Sequence, residues 1–273
     1  MLKRTVIKLS GEALSGNPQN SCEETLLNST NSHFCDTTID SVSVQLREAL
    51  DFGTEIALVV GGGNFFRGRA LKDVMEDRVK ADQIGMLATV INAIYLSDAL
   101  KARHNIHSVV MTPMPFANMT TVYDKHTALS LMAEGIVTIH AAGLCHPYFS
   151  TDSVTALRGA ELEADCVLFT KNDVEAVYDK DPKKKNEDGT ITIVKDARKY
   201  KTVSYKTAIQ QQLQFADAAA LQILKEAETI PSFVFGENEE NGIIRACKGA
   251  GKQAGFGTFL SVDIKEEFYV NSY

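Results

Sequence analysis

The chain has 273 residues, 44% of them hydrophobic and 23% charged, with a formal net charge of −7. That balance fits one large α/β domain or two small ones and argues against a nucleic-acid surface, although a locally basic pocket for anions stays open. No apolar run approaches the roughly 18 residues of a membrane helix. The first residues form a strand-like run too short for a signal peptide, and the five cysteines make no C-x-x-C pair. A reduced, cytoplasmic setting without zinc or disulfides is the expectation.

Residues 5–9 read as a first strand, with Lys8 near its end and a Ser10-Gly11 turn directly after it. Backbone N–H groups of such a turn suit phosphate oxygens, and a strand lysine reaching solvent is the plainer alternative. Residues 15–40 are rich in Ser, Asn, Thr and Glu with no period of 2 or 3.6, which predicts a long polar loop. From Ile39, Val42, Leu46, Ala49 and Leu50 recur at helical spacing, with Asp36 or Thr38 as the cap. Ile56 to Val60 is a continuous apolar run, the pattern of a strand buried on both faces. Gly61-Gly62-Gly63 follows, four residues ahead of Arg67. Glycines admit a ligand close to the backbone, and the planar arginine fork suits phosphate. Strand, turn and arginine predict an anion pocket at the carboxyl end of a parallel strand, the alternative being a tight turn with a surface arginine.

A long helical stretch runs on to about residue 105. Asp82 opens its change from charged to apolar, either capping a helix or accepting from ribose hydroxyls. Met86, Leu87, Val90, Ile91, Ile94 and Tyr95 form an apolar surface there, for core or for a subunit interface. A strand over 108–112, a helix over 123–134 and a strand over 136–143 come next. The segment Leu144-Cys145-His146-Pro147-Tyr148-Phe149-Ser150-Thr151 then leads into a helix over 152–163. Hydroxyls and free N–H groups at a helix start bind anions, with ordinary capping by Thr151 or Asp152 as the alternative. His146, before a proline, reads as a polar loop residue, catalysis being the sharper option. Further strands fall at 165–170, 230–235 and 258–262, and helices at 204–213, 215–227 and 242–247. The alternation predicts one doubly wound, mostly parallel sheet in one domain over 1–273, with 263–273 as a tail.

Neither familiar phosphate loop is present. Gly-x-x-x-x-Gly-Lys-Ser/Thr is missing, and Gly249-x-Gly251-x-x-Ala254 has no strand before it. Instead, several stretches in order resemble the bacterial UMP kinases of the amino acid kinase superfamily. They are Ile7-Lys8-Leu9-Ser10-Gly11-Glu12-Ala13-Leu14, Gly61 to Gly68, Asp82-x-x-Gly85-Met86-Leu87-Ala88-Thr89, and Thr151-Asp152-Ser153 with Arg158-Gly159 and Glu163-Ala164-Asp165. The resemblance runs from residue 3 to about residue 262.

That resemblance implies a three-layer αβα sandwich with a mostly parallel sheet. It implies transfer of the ATP γ-phosphate to UMP in pyrimidine nucleotide biosynthesis, with Mg²⁺ and a homohexamer; regulation by a GTP or UTP effector belongs to some members and does not carry over, because the 15–40 loop is longer than the family's. Lys8, Leu9, Ser10 and Gly11 are implied at the ATP phosphates, Gly62 and Gly63 at UMP and ATP, Arg67 on phosphate and Asp82 on the ribose. Leu144, Cys145, His146, Pro147, Tyr148, Phe149, Ser150 and Thr151 correspond to the UMP loop. Asn172, Tyr178 and Asp181 correspond to the adenine-nucleotide loop. Asp165 is implied to orient Lys8, and Asp152 and Asp217 are further acidic positions of the family. The chain departs from the pattern at Leu144-Cys145-His146-Pro147, where Thr-Gly-Asn-Pro is usual, and at Glu175-Ala176, where Asp-Gly is usual. A superfamily kinase acting on a carboxylate or carbamate, and a non-catalytic relative binding nucleotide or oxoanions, are the other readings. Gly85 to Thr89 favours the nucleotide enzyme over the first, and the presence of Lys8 and Arg67 favours catalysis over the second.

Overall fold

The computed structural model describes residues 1–15, 34–65, 75–172, 174–185, 191–194, 196–249, 252 and 254–269. Its strands are β1 (Arg4–Leu9), β2 (Glu55–Val60), β3 (Ser108–Thr112), β4 (Thr121–Val122), β5 (Val137–His140), β6 (Cys166–Lys171), β7 (Lys183–Lys185), β8 (Ile191–Ile193), β9 (Tyr200–Ser204), β10 (Ser232–Gly236), β11 (Thr258–Ser261) and β12 (Glu267–Phe268). Its helices are α1 (Gly11–Ser15), α2 (Asp36–Asp51), α3 (Arg78–His104), α4 (Lys125–Ala133), α5 (Thr151–Glu161), α6 (Tyr205–Gln210), α7 (Ala218–Glu226) and α8 (Gly242–Gly249). A ten-stranded sheet runs in the order β12-β9-β11-β10-β6-β1-β2-β5-β3-β4, and β7 and β8 form a separate hairpin.

From β6 through β4 every neighbouring pair is parallel; the β10–β11 and β12–β9 pairs are antiparallel. The central strands are mostly apolar because both their faces are covered, with Lys8 and Lys171 at their carboxyl ends among the exceptions. Val6, Ala57, Val167 and Val234 pack into one core, and Ile7, Leu58, Leu168 and Phe233 into the other. Helices α2, α3 and α8 close the second face, and α5, α6 and α7 the first. The result is the expected three-layer αβα sandwich.

Several boundaries and caps differ from the sequence reading, and residues 16–33 of the predicted polar loop lie outside the described residues. Cys35, not Asp36 or Thr38, stands at the cap of α2 and makes no side-chain cap bond. Asp82 is not a cap: α3 begins earlier, capped by Asp77, whose carboxylate accepts from Val79 N and Lys80 N. Ser150 rather than Thr151 or Asp152 caps α5. Among the described residues α3 is long and apolar enough to cross a membrane by length and composition, which the sequence reading missed. Its apolar content has another explanation, since Ala88, Val90, Ala93, Leu96 and Leu100 are buried within the molecule.

Candidate active site

Strand pleating decides which side chains meet at the carboxyl edge. Lys8 follows Val6 on one face of β1, and Lys171 follows Phe169 on the same face of β6, the adjacent parallel strand. α5 packs on that face and brings Asp152, in its first turn, to both lysines. Lys8 Nζ lies 2.7 Å from Asp152 Oδ1, and Lys171 Nζ lies 3.0 Å from Asp152 Oδ2. The three side chains are only 11%, 14% and 13% exposed, in the order Lys8, Lys171, Asp152.

Three charges in so dry a place perturb one another. Burial is the strongest influence on each and disfavours the charged form. On Lys8 the Asp152 carboxylate overrides it and holds the ammonium above the ordinary lysine range. On Asp152 the two ammonium groups override it and keep the carboxyl below its usual range. Lys171 has both burial and the Lys8 charge against it, and is pulled down to about 8. At neutral pH the trio is two cations on one anion, a site that a further anion would complete.

The partner of Lys8 is therefore Asp152, and the implied orienting role of Asp165 is corrected. Asp165 Oδ2 accepts from Lys3 N at 2.6 Å and Arg4 N at 3.1 Å, at the opposite end of β1. An extended strand rises about 3.3 Å per residue, so the length of β1 separates the two groups. Lys171 was absent from the sequence expectations. Its signal was its place two residues past Phe169, which becomes legible only when β6 is known to lie beside β1.

The two glycine turns leave the sheet side by side, because β1 and β2 are parallel with Leu9 opposite Val60. They are pressed together. A Cβ on Gly11 would stand 2.3 Å from Gly63 N, and one on Gly61 would stand 2.9 Å from Gly11 N. A Cβ on Gly62 would meet Ala88 Cβ and Gly85 O of α3, both at 2.9 Å. Leu9 contributes backbone alone: its side chain is core, and its carbonyl accepts from Gly61 N at 2.9 Å. Ser10 Oγ accepts from Ala13 N at 2.9 Å and donates to Glu237 Oε2 at 2.8 Å. Arg67 lies outside the described residues.

In the segment after β5, Leu144 packs against one core and Cys145 against the other. Both unusual residues act as apolar anchors. Ala142, Gly143, Cys145 and Tyr148 all have positive φ, at 61°, 60°, 57° and 71°. Cys145 thus takes a conformation that glycine adopts freely, at the position where the resemblance implies glycine. His146 is exposed, Pro147 is half-buried, and Tyr148 and Phe149 are 70% and 47% exposed. Tyr148 N donates to Asp82 Oδ2 at 2.8 Å, and Asp82 Oδ1 accepts from Arg78 Nε at 2.7 Å, so Asp82 holds this loop to α3. Ser153 Oγ donates to Asp217 at 2.8 Å, Ser150 Oγ also donates to it, and Asp217 caps α7 through Ala220 N. Asp217 thereby joins the starts of α5 and α7. Thr151 opens α5, its carbonyl accepting from Thr155 Oγ1.

A cavity of about 620 Å³ opens beside Asp152 and Lys171, between α6 and α7. A smaller one of about 320 Å³ lies on the other face of the sheet, between α2 and the β10–α8 connection, with Asn172 on its wall. Tyr178 is half-buried and bridges by backbone to Lys199, and Asp181 is exposed. Neither is among the residues around the two lysines.

An αβα sandwich with two lysines on one carboxylate, next to interlocked glycine turns, suits a protein that handles phosphoryl groups. The chain belongs to the amino acid kinase family, whose model matches residues 3–236. It is similar in structure to the UMP kinase of Bacillus anthracis, with 29% identity and a TM-score of 0.82 over 98% of this chain and 99% of that one. The UMP kinase of Ureaplasma parvum gives 29% identity and a TM-score of 0.78 over 94% and 98%. A uridylate kinase from Archaeoglobus fulgidus, at 22% identity, shares the fold with a TM-score of 0.63 over 94% and 99%.

Proposed function

We propose that this chain is a UMP kinase, transferring the γ-phosphate of ATP to UMP to give ADP and UDP. The observation that carries the reading is the Lys8–Asp152–Lys171 cluster beside two joined glycine turns, in a chain that aligns with UMP kinases over nearly its whole length.

Phosphoryl transfer asks a protein for positioning and for neutralisation of charge spreading over the equatorial oxygens. Lys8 and Lys171 put two cations on one side of the moving group, and Asp152 aims both. The glycine turns offer N–H donors that need no reorganisation during reaction. No side chain serves as nucleophile, because a phosphate oxygen of UMP attacks. Arg67 would hold the acceptor phosphate, and Asp82, which already orders the acceptor loop, would receive the ribose hydroxyls. Among the described residues no group of three His, Cys, Asp or Glu could hold a metal. Mg²⁺ would be carried in by ATP, since such an ion takes phosphate oxygens, waters and only one or two protein oxygens. Ser10 and Glu237, joined at the donor turn, would supply the protein oxygens. When bound, the ion would supply neutralisation of phosphate charge.

Self-association is supported by the outer face of α3, where Leu87, Ile91 and Ile94 are 50%, 49% and 38% exposed. A homohexamer, the assembly that the family resemblance implies, is the one we assign. Purified protein with ATP, Mg²⁺ and each of UMP, CMP, dUMP and AMP tests the function. UMP should be turned over at least about tenfold better than CMP, equivalent to roughly 1.4 kcal/mol of transition-state binding. Equal rates on both, or no turnover of UMP, would refute it.

A further inference from the structure

Asn92 is fully buried in the middle of α3, a place where helix amphipathicity calls for an apolar residue. Its amide is fully engaged. Nδ2 donates to Gly61 O at 2.6 Å and to Asn64 Oδ1 at 2.8 Å, while Oδ1 accepts from Asn64 Nδ2 at 3.0 Å. Burying an amide is costly and these bonds do little more than offset that cost, while an apolar residue here would withdraw a partner from Gly61 O and Asn64. What the arrangement fixes is a peptide plane. In a trans peptide the carbonyl and the following N–H point opposite ways. With Gly61 O drawn toward Asn92, the Gly62 N–H faces away from α3. The next residue, Gly63, is the one whose N presses on Gly11, and Asn64 Oδ1 would stand 2.8 Å from a Gly11 Cβ.

We propose that Asn92 is a positioning residue, which through the Gly61 carbonyl and Asn64 aims the Gly62 N–H at the phosphate oxygens held between the two turns. The proposal rests on the phosphoryl-transfer reading of the site, and the two can fail separately. Asn92→Leu keeps the branched outline, with more bulk, and removes the amide. Asn92→Asp keeps the shape and the acceptor but, when ionised, can donate nothing to Gly61 O.

Both variants are made as full chains, and their folding is checked by circular dichroism melts. For Asn92→Leu, kcat with UMP should fall roughly tenfold or more, the scale of a misaimed electrostatic donor, with KM for ATP within about twofold of wild type. Amide exchange of the ligand-free chain should quicken at 61–65 and stay unchanged in β1 and β2. For Asn92→Asp, the ratio of its kcat to the wild-type value should rise as pH is lowered, because a protonated buried carboxyl can donate to Gly61 O again. A merely structural residue would lower Tm and leave both that ratio and the kcat of folded protein unmoved. An Asn92→Leu chain with more than half the wild-type kcat, or with unaltered exchange at 61–65, overturns the proposal. If that variant does not fold, a pH-independent ratio for Asn92→Asp overturns it. Wild-type protein inactive on UMP counts against the kinase reading, and the exchange measurement then still decides the role of Asn92.

Discussion

Lys8 and Lys171 share one carboxylate, yet only Lys171 is left close to losing its proton. The unfolded chain holds that proton up to the ordinary lysine range, whereas the folded chain releases it at about 8. Between those limits the unfolded state binds the extra proton, so this group makes stability rise with pH, and below both it contributes no slope. Activity should move the other way. kcat/KM should fall as pH rises through about 8, because the free enzyme then loses one of its two cations. Lys171→Met should lack that limb and run roughly 10²-fold slower at neutral pH, the scale of one lost electrostatic stabiliser. A wild-type profile flat to about pH 9.5, compared with that of the variant, would remove Lys171 from the reaction. The two aspartates separate in the same way. Asp152→Asn removes the charge between two buried lysines and should cut kcat by at least about tenfold. Asp165→Asn weakens two backbone hydrogen bonds at the far end of β1. It should cost roughly 1 kcal/mol of stability in a denaturant titration and leave kcat within about twofold. A larger loss of kcat from Asp165→Asn than from Asp152→Asn would restore the orienting role to Asp165.

At the scale of elements, the sequence made strands and helices legible where period and turn chemistry agree. β2 falls where its continuous apolar run places it, because a strand covered on both faces leaves little choice of residue, and β1 and β3 also fall within a residue of their expected bounds. Caps were misread where several candidates stand in a row. Ser150, Thr151 and Asp152 can all cap a helix, and Ser150 does so because Asp217, distant in sequence, takes up its hydroxyl. Lys8 and both glycine turns could be found by local reading, since each marks the end of a strand. Lys171 and Asn92 could not. One depends on which strands are neighbours, and the other on which face of α3 meets the turn. The 144–149 segment shows the limit from the other side. Its sequence departs from the pattern the resemblance implies, yet Cys145 holds a positive φ, a conformation that glycine adopts freely. Holding a non-glycine residue there stores about 1 kcal/mol or more. Cys145→Gly should therefore leave KM for UMP within about twofold, whereas a β-branched Cys145→Val, strained at that φ, should raise it severalfold.

Across the whole molecule, α3 is the element through which the proposed assembly and the proposed acceptor half of the site would meet. Its inner side carries Asp82, which holds Tyr148 N, Thr89, whose Oγ1 accepts from Ala142 N at 2.8 Å, and Asn92 at the glycine turn. Its outer side carries Leu87, Ile91 and Ile94, at successive i, i+4 and i+7 positions and exposed. An apolar stripe of this kind on an acidic chain calls for a second apolar surface, and a copy of the same helix supplies one by two-fold symmetry. Placing like charges on that stripe should separate the copies. Ile91→Lys, read by light scattering at micromolar concentration, should give a lower mass than wild type. The residues of the donor half are carried by β1, β6 and α5, none of which belongs to that surface. KM for UMP should therefore rise on dissociation while KM for ATP stays within about twofold. A wild-type monomer at that concentration would refute the assembly outright. A dissociated variant with an unchanged KM for UMP would show that α3 holds the acceptor site without help from its outer face.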